Sequence, residues 1–495
     1  MKKLTLHKLF EGYDDINIPK EIDSNSQFDI SHSDAYINEN SLLFITEKVG
    51  NIDHHFDTSV LTNTPAALVI PKYCSTSEKI CPEIRVDNVR EALAYAYYNA
   101  YKINYDKLKI IGVTGTNGKT TTATLIYRIL NNCGYKVGFI GTGKIISDKA
   151  ILSDDTYSMT TPDPSVLYPA ISRMYEDGCE YIVMEVSSHS IALGKIAPLK
   201  FEYAIFTNLD NDHLDFHRSK DEYFNTKLKL FESCKRGLFN MDDGYSMKAY
   251  GLAKCEKSTY GVINRGDTYA TEIEMKLLES SFYYRQKDLI FKAKTKLPGA
   301  FNIYNALAAL RCVIDLGVKP CIAKKALSKI DKIDGRMEVI FGDITFIIDY
   351  AHTPGAFYNS LKTIKQRVIN RQKLIVVFGC GGNRDRQKRP LFGKYAEELA
   401  DKIIITEDNS RNEDFDTITD DIISGMTSDK HIIIKDREKA IRCAYSFALP
   451  GDIIALIGKG HERYKIIDNQ YIPFDERRII QEILAETDKS YARKT

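Results

Sequence analysis

The stretch "IIGVTGTNGKTTTA", residues 110–123, constrains the fold more than any other part of the chain. An apolar run ends in glycines, then come a lysine and a row of threonines. A strand that passes through Gly115-Thr116-Asn117-Gly118-Lys119-Thr120 and Thr121 into a helix is the recipe for a phosphate site. Glycines let backbone N–H groups approach phosphate oxygens, and the helix N-terminus adds its dipole. Lys119 reaches the outer phosphates, and the Thr120 hydroxyl is suited to Mg²⁺. The strict phosphate-loop pattern asks for glycine where Val113 stands, with Gly112 and Gly115 flanking it instead.

Around this stretch, strand-like runs alternate with helical patterns. "LKIIGV", "YIVMEV" and "FEYAIFTN" are each followed by an amphipathic segment. Such alternation predicts a parallel sheet with helices on its faces. "KIDGRMEVI", residues 332–340, reads as a junction. Beyond it the alternation restarts with "ITFIIDYAH", "LIVVFGCGG" and "KIIITED". The expected class is therefore α/β, with an N-terminal domain over 1–105, a central nucleotide-binding domain over 106–335 and a C-terminal α/β domain over 336–495. A chain of 495 residues fits about three domains at roughly 100–200 residues each.

Composition excludes several classes. The net charge of +1 gives no field that would draw the chain to nucleic acid or an anionic membrane. No apolar run reaches the roughly 18 residues of a membrane span, and "MKKLTLHKLFEGYDD" turns acidic too early for a secretory leader. The ten cysteines are scattered without a CxxC pair, which reads as reduced thiols in a cytoplasmic protein.

Two further positions follow from pattern. Glu185 ends the run "YIVMEV", and Asp212-His213 follow "FEYAIFTN". Strand ends in such sheets face a shared ligand crevice. Phe224, Lys227, Leu228 and Phe231 recur at helical spacing, which sets Lys227 on an otherwise apolar face. A desolvated lysine has a lowered pKa and gains nucleophilicity, whereas a snorkelling one keeps its head in water. Spacing leaves both open.

The loop form "GVTGTNGKTTT" resembles that of the Mur ligases, the ATP-dependent amide ligases of peptidoglycan precursor synthesis. Further matches follow in order: "TTPDP", "EVSSHS", "TNLDNDHLDFH", "YFNTKLKLF", "LPGAFNIYNALAA", "GRME", "DYAHTPGA", "GCGGNRDRQKRP", "EDNSR" and "GKGHE". Together they span residues 110–462 and are most similar to the MurE type, which adds the third residue of the stem peptide. The resemblance implies a three-domain architecture, with a phosphate-loop ATPase domain in the centre and a Rossmann-like C-terminal domain. It implies ATP, two Mg²⁺ ions, a monomer, small-molecule substrates, and no nucleic-acid or membrane partner.

By that resemblance Thr120, Glu185, His213 and a carbamylated Lys227 hold metal, and Lys119 serves phosphoryl transfer. Asn302 and Asn305 match adenine-side contacts, and Arg336 and Asp349 match nucleotide contacts near the hinge. His352, in "DYAHTP", receives no role. Thr160, Thr161, Ser187 and His189 are neutral donors that would hold UDP-N-acetylmuramoyl-L-alanyl-D-glutamate. Lys195 stands where the family usually has arginine. In the first domain His32-Ser33-Asp34 stands for the family's uridine-side "DSR", keeping only Ser33, and Glu39-Asn40-Ser41 replaces "PGD".

The added amino acid is read from Asp408-Asn409-Ser410-Arg411. Diaminopimelate-adding members carry DNPR, and lysine-adding ones usually lack the arginine. Diaminopimelate has a carboxylate that lysine lacks, and arginine grips carboxylates with paired hydrogen bonds. Arg411 thus points to meso-diaminopimelate, with Arg384, Gly458 and Glu462 as further contacts. Ser410 in place of proline releases a fixed φ and predicts a less preorganised loop. The same reaction with L-lysine or another diamine stays open, as does a catalytically inactive relative that binds UDP-sugars.

Overall fold

The computed structural model describes residues 3–492 apart from 24, 34–36, 47–54, 102, 155–158, 277–278 and 370. The first sheet has four parallel strands, Gln27–Ser31, Ser41–Phe44, Ala67–Pro71 and Glu83–Val86. Antiparallel strands Leu4–Thr5 and Ile16–Asn17 edge it. Helix Val89–Ala100 covers the sheet with Ala92, Leu93 and Ala96, and the Asn88 side chain caps it by accepting from Glu91 N. Asp34, expected near the uridine, lies outside the described residues.

The middle sheet has eleven strands. Its centre is β1 (Lys109–Thr114), β2 (Val137–Gly141), β3 (Tyr181–Glu185), β4 (Phe201–Phe206) and β5 (Cys234–Asn240), in the spatial order β2-β3-β1-β4-β5. All five run parallel. Parallel strands are covered on both faces, so they read as continuous apolar runs. Along β1, Ile110 enters one core cluster while Ile111 and Val113 enter the other. Helices α1 (Lys119–Asn132), α2 (Lys220–Leu228) and α3 (Ala300–Asp315) pack around this centre.

The expected parallel sheet holds for the centre only. Lys144–Ile146 and Ile151–Ser153 at one edge, and Ser280–Gln286 and Leu289–Thr295 at the other, pair antiparallel. Their connections are hairpin turns, too short for the crossover that parallel pairing needs.

The third sheet contains β6 (Thr345–Asp349), β7 (Leu374–Phe378), β8 (Lys402–Ile405) and β9 (Ile453–Ile457), ordered β6-β9-β7-β8 and all parallel. Strand Glu338–Ile340 adds an antiparallel edge. Register sets Asp349 beside Ile457, Ile457 beside Phe378, and Phe378 beside Ile405. The segments "DYAH", "GCGG", "EDNSR" and "GKGHE" therefore leave four neighbouring strand ends on one rim, where sheets of this class bind ligands. Among the described residues, no helix is long and apolar enough to cross a membrane.

Candidate active site

The phosphate loop lies between β1 and α1, where the chain order of the strands reverses. Val113 is a fully buried strand residue, and the turn begins only at Gly115. This is why the strict pattern fails there: the position belongs to the core. Gly118 adopts φ +84 as the N-cap of α1, and a Cβ there would stand 2.6 Å from Asn305 Oδ1. Neither condition suits a side chain. Lys119 Nζ donates to the carbonyls of Gly115 (3.0 Å) and Thr116 (2.9 Å).

A cavity of about 590 Å³ opens over this loop. Thr116 to Thr121, Glu185, His213, Asn305, Arg336 and Asp349 all line it. Asn302 does not: it donates to Pro298 O at 2.7 Å and accepts from Asn305 Nδ2 at 3.1 Å, steadying the asparagine that does face the cavity. Arg336 stacks on Tyr350 and donates to Thr120 Oγ1 at 2.9 Å. Asp349 accepts from Met337 N (2.7 Å) and Ala351 N (2.8 Å), while burial pushes its carboxyl up.

Glu185 is fully buried and accepts from Thr120 Oγ1 (2.7 Å), Thr142 N (2.9 Å) and Thr142 Oγ1 (3.4 Å). None of these donors is cationic. His213 has φ 55, and its Nε2 lies 3.4 Å from Asp212 Oδ2. Burial pushes its imidazole down to about 3 against the pull of Asp212, so the ring is neutral. A hydroxyl, a carboxylate and a neutral imidazole on one cavity form a donor set that fits Mg²⁺. Of the expected four-residue metal set, Thr120, Glu185 and His213 line this cavity and Lys227 does not. Among the described residues no three His, Cys, Asp or Glu side chains converge on a metal position. Lys227 Nζ instead donates to Gly115 O at 3.0 Å.

Of the two readings of Lys227, the desolvated one holds. It is 1% exposed, and burial together with the nearby Lys119 drives its ammonium well below the usual lysine range. Phe224 and Phe231 share its buried face, although α2 ends at Leu228 and a 3-10 turn, Lys229–Glu232, carries Phe231.

The residues expected to hold the UDP-linked substrate divide into two groups. Thr160 lines the cavity and accepts from Thr142 Oγ1 at 3.1 Å. His189 packs 4.1 Å from the Phe216 ring and 4.8 Å from His213, and burial takes it down to about 4. Thr161, by contrast, donates to the carbonyl of Glu185 at 2.9 Å, and Ser187 caps a short helix by accepting from Ser190 N. Lys195 is buried and pairs with Asp163 of "TTPDP" at 2.8 Å. Ser33 lies beyond the first sheet's strand Gln27–Ser31, where its carbonyl accepts from Ser31 Oγ at 2.8 Å.

A second cavity, about 150 Å³, is lined by Arg384, Asp408, Asn409, Arg411, Gly458 and Glu462. Asp212, His213, Tyr350, Ala351 and His352 line both cavities. His352 holds its place through Tyr350 O (3.1 Å) and Asp212 Oδ2 (3.5 Å). Arg384 reaches across to Asp215 of the middle domain at 2.7 Å. Ser410, expected to leave the loop less preorganised than proline would, is tied into it. It is buried and donates to Glu407 Oε1 at 3.0 Å, while Arg411 N donates to Ile466 O at 2.9 Å. Sequence reasoning passed over Thr142 and Lys459; only Lys459 had a signal, a lysine inside a motif already singled out.

A phosphate loop on a parallel sheet, joined to a second α/β unit whose strand ends close over it, defines a nucleotide-dependent enzyme of the ligase architecture. The Mur ligase middle domain model matches residues 113–313, and the Mur ligase, glutamate ligase domain model matches residues 335–460. This chain belongs to the Mur ligase family. It is 36% identical to UDP-N-acetylmuramoyl-L-alanyl-D-glutamate--2,6-diaminopimelate ligase 1 of Clostridium acetobutylicum, over 95% of this chain and 96% of that one. It is 41% identical to the ligase of the same activity name from Caldanaerobacter subterraneus subsp. tengcongensis, over 82% and 84%. A solved structure titled as a UDP-N-acetylmuramoyl-L-alanyl-D-glutamate--2,6-diaminopimelate ligase superposes with TM-score 0.65 at 27% identity, covering 98% of this chain and all of that one. MurF from Acinetobacter baumannii, at 16% identity and TM-score 0.63, shares the fold.

Proposed function

We propose that this chain is an ATP-dependent amide ligase that adds meso-2,6-diaminopimelate to UDP-N-acetylmuramoyl-L-alanyl-D-glutamate, acting as a cytoplasmic monomer in peptidoglycan precursor synthesis. The observation that carries the reading is the junction of two cavities through shared walls, one over a phosphate loop and one lined by Arg384, Arg411 and Glu462. The names of relatives 36–41% identical over most of the chain support the same activity.

In this reading the γ-phosphoryl group of ATP passes to a carboxylate of the UDP-linked dipeptide. The amine of diaminopimelate then attacks the acyl phosphate, and inorganic phosphate leaves. Lys119 stands where negative charge develops, and such preorganised charge is the largest catalytic contribution in transfers of this kind. Thr120, Glu185 and His213 would hold Mg²⁺, with Lys227 as a carbamate completing the set. When bound, the two ions would offset charge on the phosphate oxygens. Arg336, Asp349 and Asn305 face the nucleotide. Thr160 and His189 face the acceptor, while Thr161, Ser187 and Lys195 hold the segments around it. Arg411 and Arg384 take the distal carboxylate of the amino acid, and Asp408 and Glu462 its ammonium, with Asn409 holding Glu462 in place.

The test is phosphate release from ATP with the UDP-linked dipeptide, adding meso-diaminopimelate or L-lysine separately. Release with diaminopimelate alone is expected. Release with lysine, or with neither, would overturn the reading.

A further inference from the structure

Lys459 is fully buried, and its ammonium has three N–H groups. They meet three acceptors: Asp408 Oδ1 at 3.0 Å, Asn409 Oδ1 at 2.9 Å and Glu462 Oε2 at 3.1 Å. Its donors are therefore saturated inside the protein, and none is left for a ligand. The acceptors are held from other sides as well. Asn409 Nδ2 donates to Glu462 Oε2 at 2.9 Å, Ile466 N donates to Asn409 Oδ1 at 2.9 Å, and the Tyr350 hydroxyl reaches Glu462 Oε1 at 3.4 Å.

One ammonium against two carboxylates leaves one negative charge over. Asp408 and Glu462 both line the second cavity. Asp408 Oδ2 stands 2.8 Å from where a Cβ at Gly458 would be, so only glycine, here at φ +117, leaves that oxygen its place. Arg411 adjoins the cluster, its Nη1 bonded to the carbonyls of Gly382 (2.9 Å) and Asn409 (3.2 Å). The other charged or titratable groups facing the cluster are Arg437, Tyr350 and Tyr464, with Arg384 beyond Arg411.

We propose that Lys459 is a positioning residue for amino-acid selection. It holds Asp408 and Glu462 together and trims the pocket to a single surplus negative charge beside Arg411. That combination fits one ammonium and one carboxylate on the same carbon, the far end of a diamino diacid, and disfavours a bare alkylammonium. Without Lys459 the pocket carries two negative charges, one of them free to pair with Arg411 in place of the ligand's carboxylate. The selection role rests on the ligase reading above; the charge balance does not.

The test therefore has two arms. In the first, Lys459→Met is compared with the natural enzyme in the phosphate-release assay. The KM for meso-diaminopimelate should rise by about tenfold or more, since a buried charge loses its partner. The KM for ATP should stay within about twofold, and the preference over L-lysine should shrink. In the second arm, melting temperature is followed from about pH 5 to about pH 8 without any substrate. As pH falls, two buried carboxylates without their cation take up a proton more readily in the folded state than in the unfolded one. Their folded pKa then lies above the unfolded one, so stability falls as pH rises. The melting gap between Lys459→Met and the natural enzyme should widen with pH, and adding Glu462→Gln should close that widening. Melting curves that stay parallel at every pH overturn the proposal, whatever KM does. Should Lys459→Met not fold, recovery of folded protein in Lys459→Met/Glu462→Gln supports the charge balance, and failure of both variants overturns it. If the natural enzyme releases no phosphate with diaminopimelate, the ligase reading fails, and the melting arm still decides the charge balance.

Discussion

Lys119 and Lys227 donate to the same carbonyl oxygen, that of Gly115, each at 3.0 Å. Two ammonium groups on one acceptor repel each other, and Lys227 is the more deeply buried of the pair. The phosphate loop and the helix α2 are thus coupled through this backbone atom, and again where the Tyr223 hydroxyl meets Thr116 Oγ1 at 3.2 Å.

From this coupling, Lys119→Met should reduce phosphate release by about 10²–10³-fold, the size expected for removing one preorganised donor to a developing charge. Lys119 is only half-buried, so the variant should melt within a few degrees of the natural enzyme. A folded variant with undiminished phosphate release would show that the loop lysine does not face the transferred group.

A neutral, desolvated amine reacts with CO₂, and the environment of Lys227 supplies that condition. ¹³C-labelled bicarbonate should give a carbamate NMR signal in the natural protein that is missing from Lys227→Met. Finding the same signal in both would assign the carbamate to another amine.

Arg411→Ala should raise the KM for meso-diaminopimelate and leave that for ATP unchanged. Truncating one partner of a buried charge pair costs about 2–5 kcal/mol. Arg411→Lys should recover only part of the loss, because an ammonium lacks the planar fork. A variant that discriminates diaminopimelate from L-lysine as well as the natural enzyme would remove Arg411 from the selection.

Much of this site was legible from the sequence because its residues sit at strand ends, and strand ends are marked by apolar runs stopping at glycine or a charge. Glu185 and His213 were found that way, while Asp349 and the "EDNSR" segment came from the family resemblance. What pattern does not carry is the direction in which a side chain points. Thr161 and Ser187 lie in matching motifs and Lys195 at a family arginine position, yet their polar atoms turn to the protein itself. Asn302 and Asn305 differ by less than one helical turn, and only the second lines the cavity. The bond from Ser410 to Glu407 was not foreseen for the same reason, since it leaves no mark in composition. Edge strands were missed because hairpin pairing and parallel pairing produce the same short apolar runs.

The last relationship lies beneath the amino-acid cavity. Arg437 and Glu476, 0% and 1% exposed, pair at 2.8 Å, and Arg437 Nη2 also donates to Ile457 O at 3.1 Å, the residue just before the "GKGHE" turn. Breaking a buried pair from one side costs about 3–5 kcal/mol, because the partner is left charged in an apolar setting. Arg437→Met should therefore destabilise the protein by about that amount in denaturant unfolding. Removing both charges, in Arg437→Met/Glu476→Leu, should recover most of the loss, since replacing a whole buried pair with apolar side chains is often neutral. The single variant should also loosen the "GKGHE" turn and raise the KM for diaminopimelate more than that for ATP. A double variant no more stable than Arg437→Met would mean that packing around the guanidinium, and not its charge, holds this end of the third sheet.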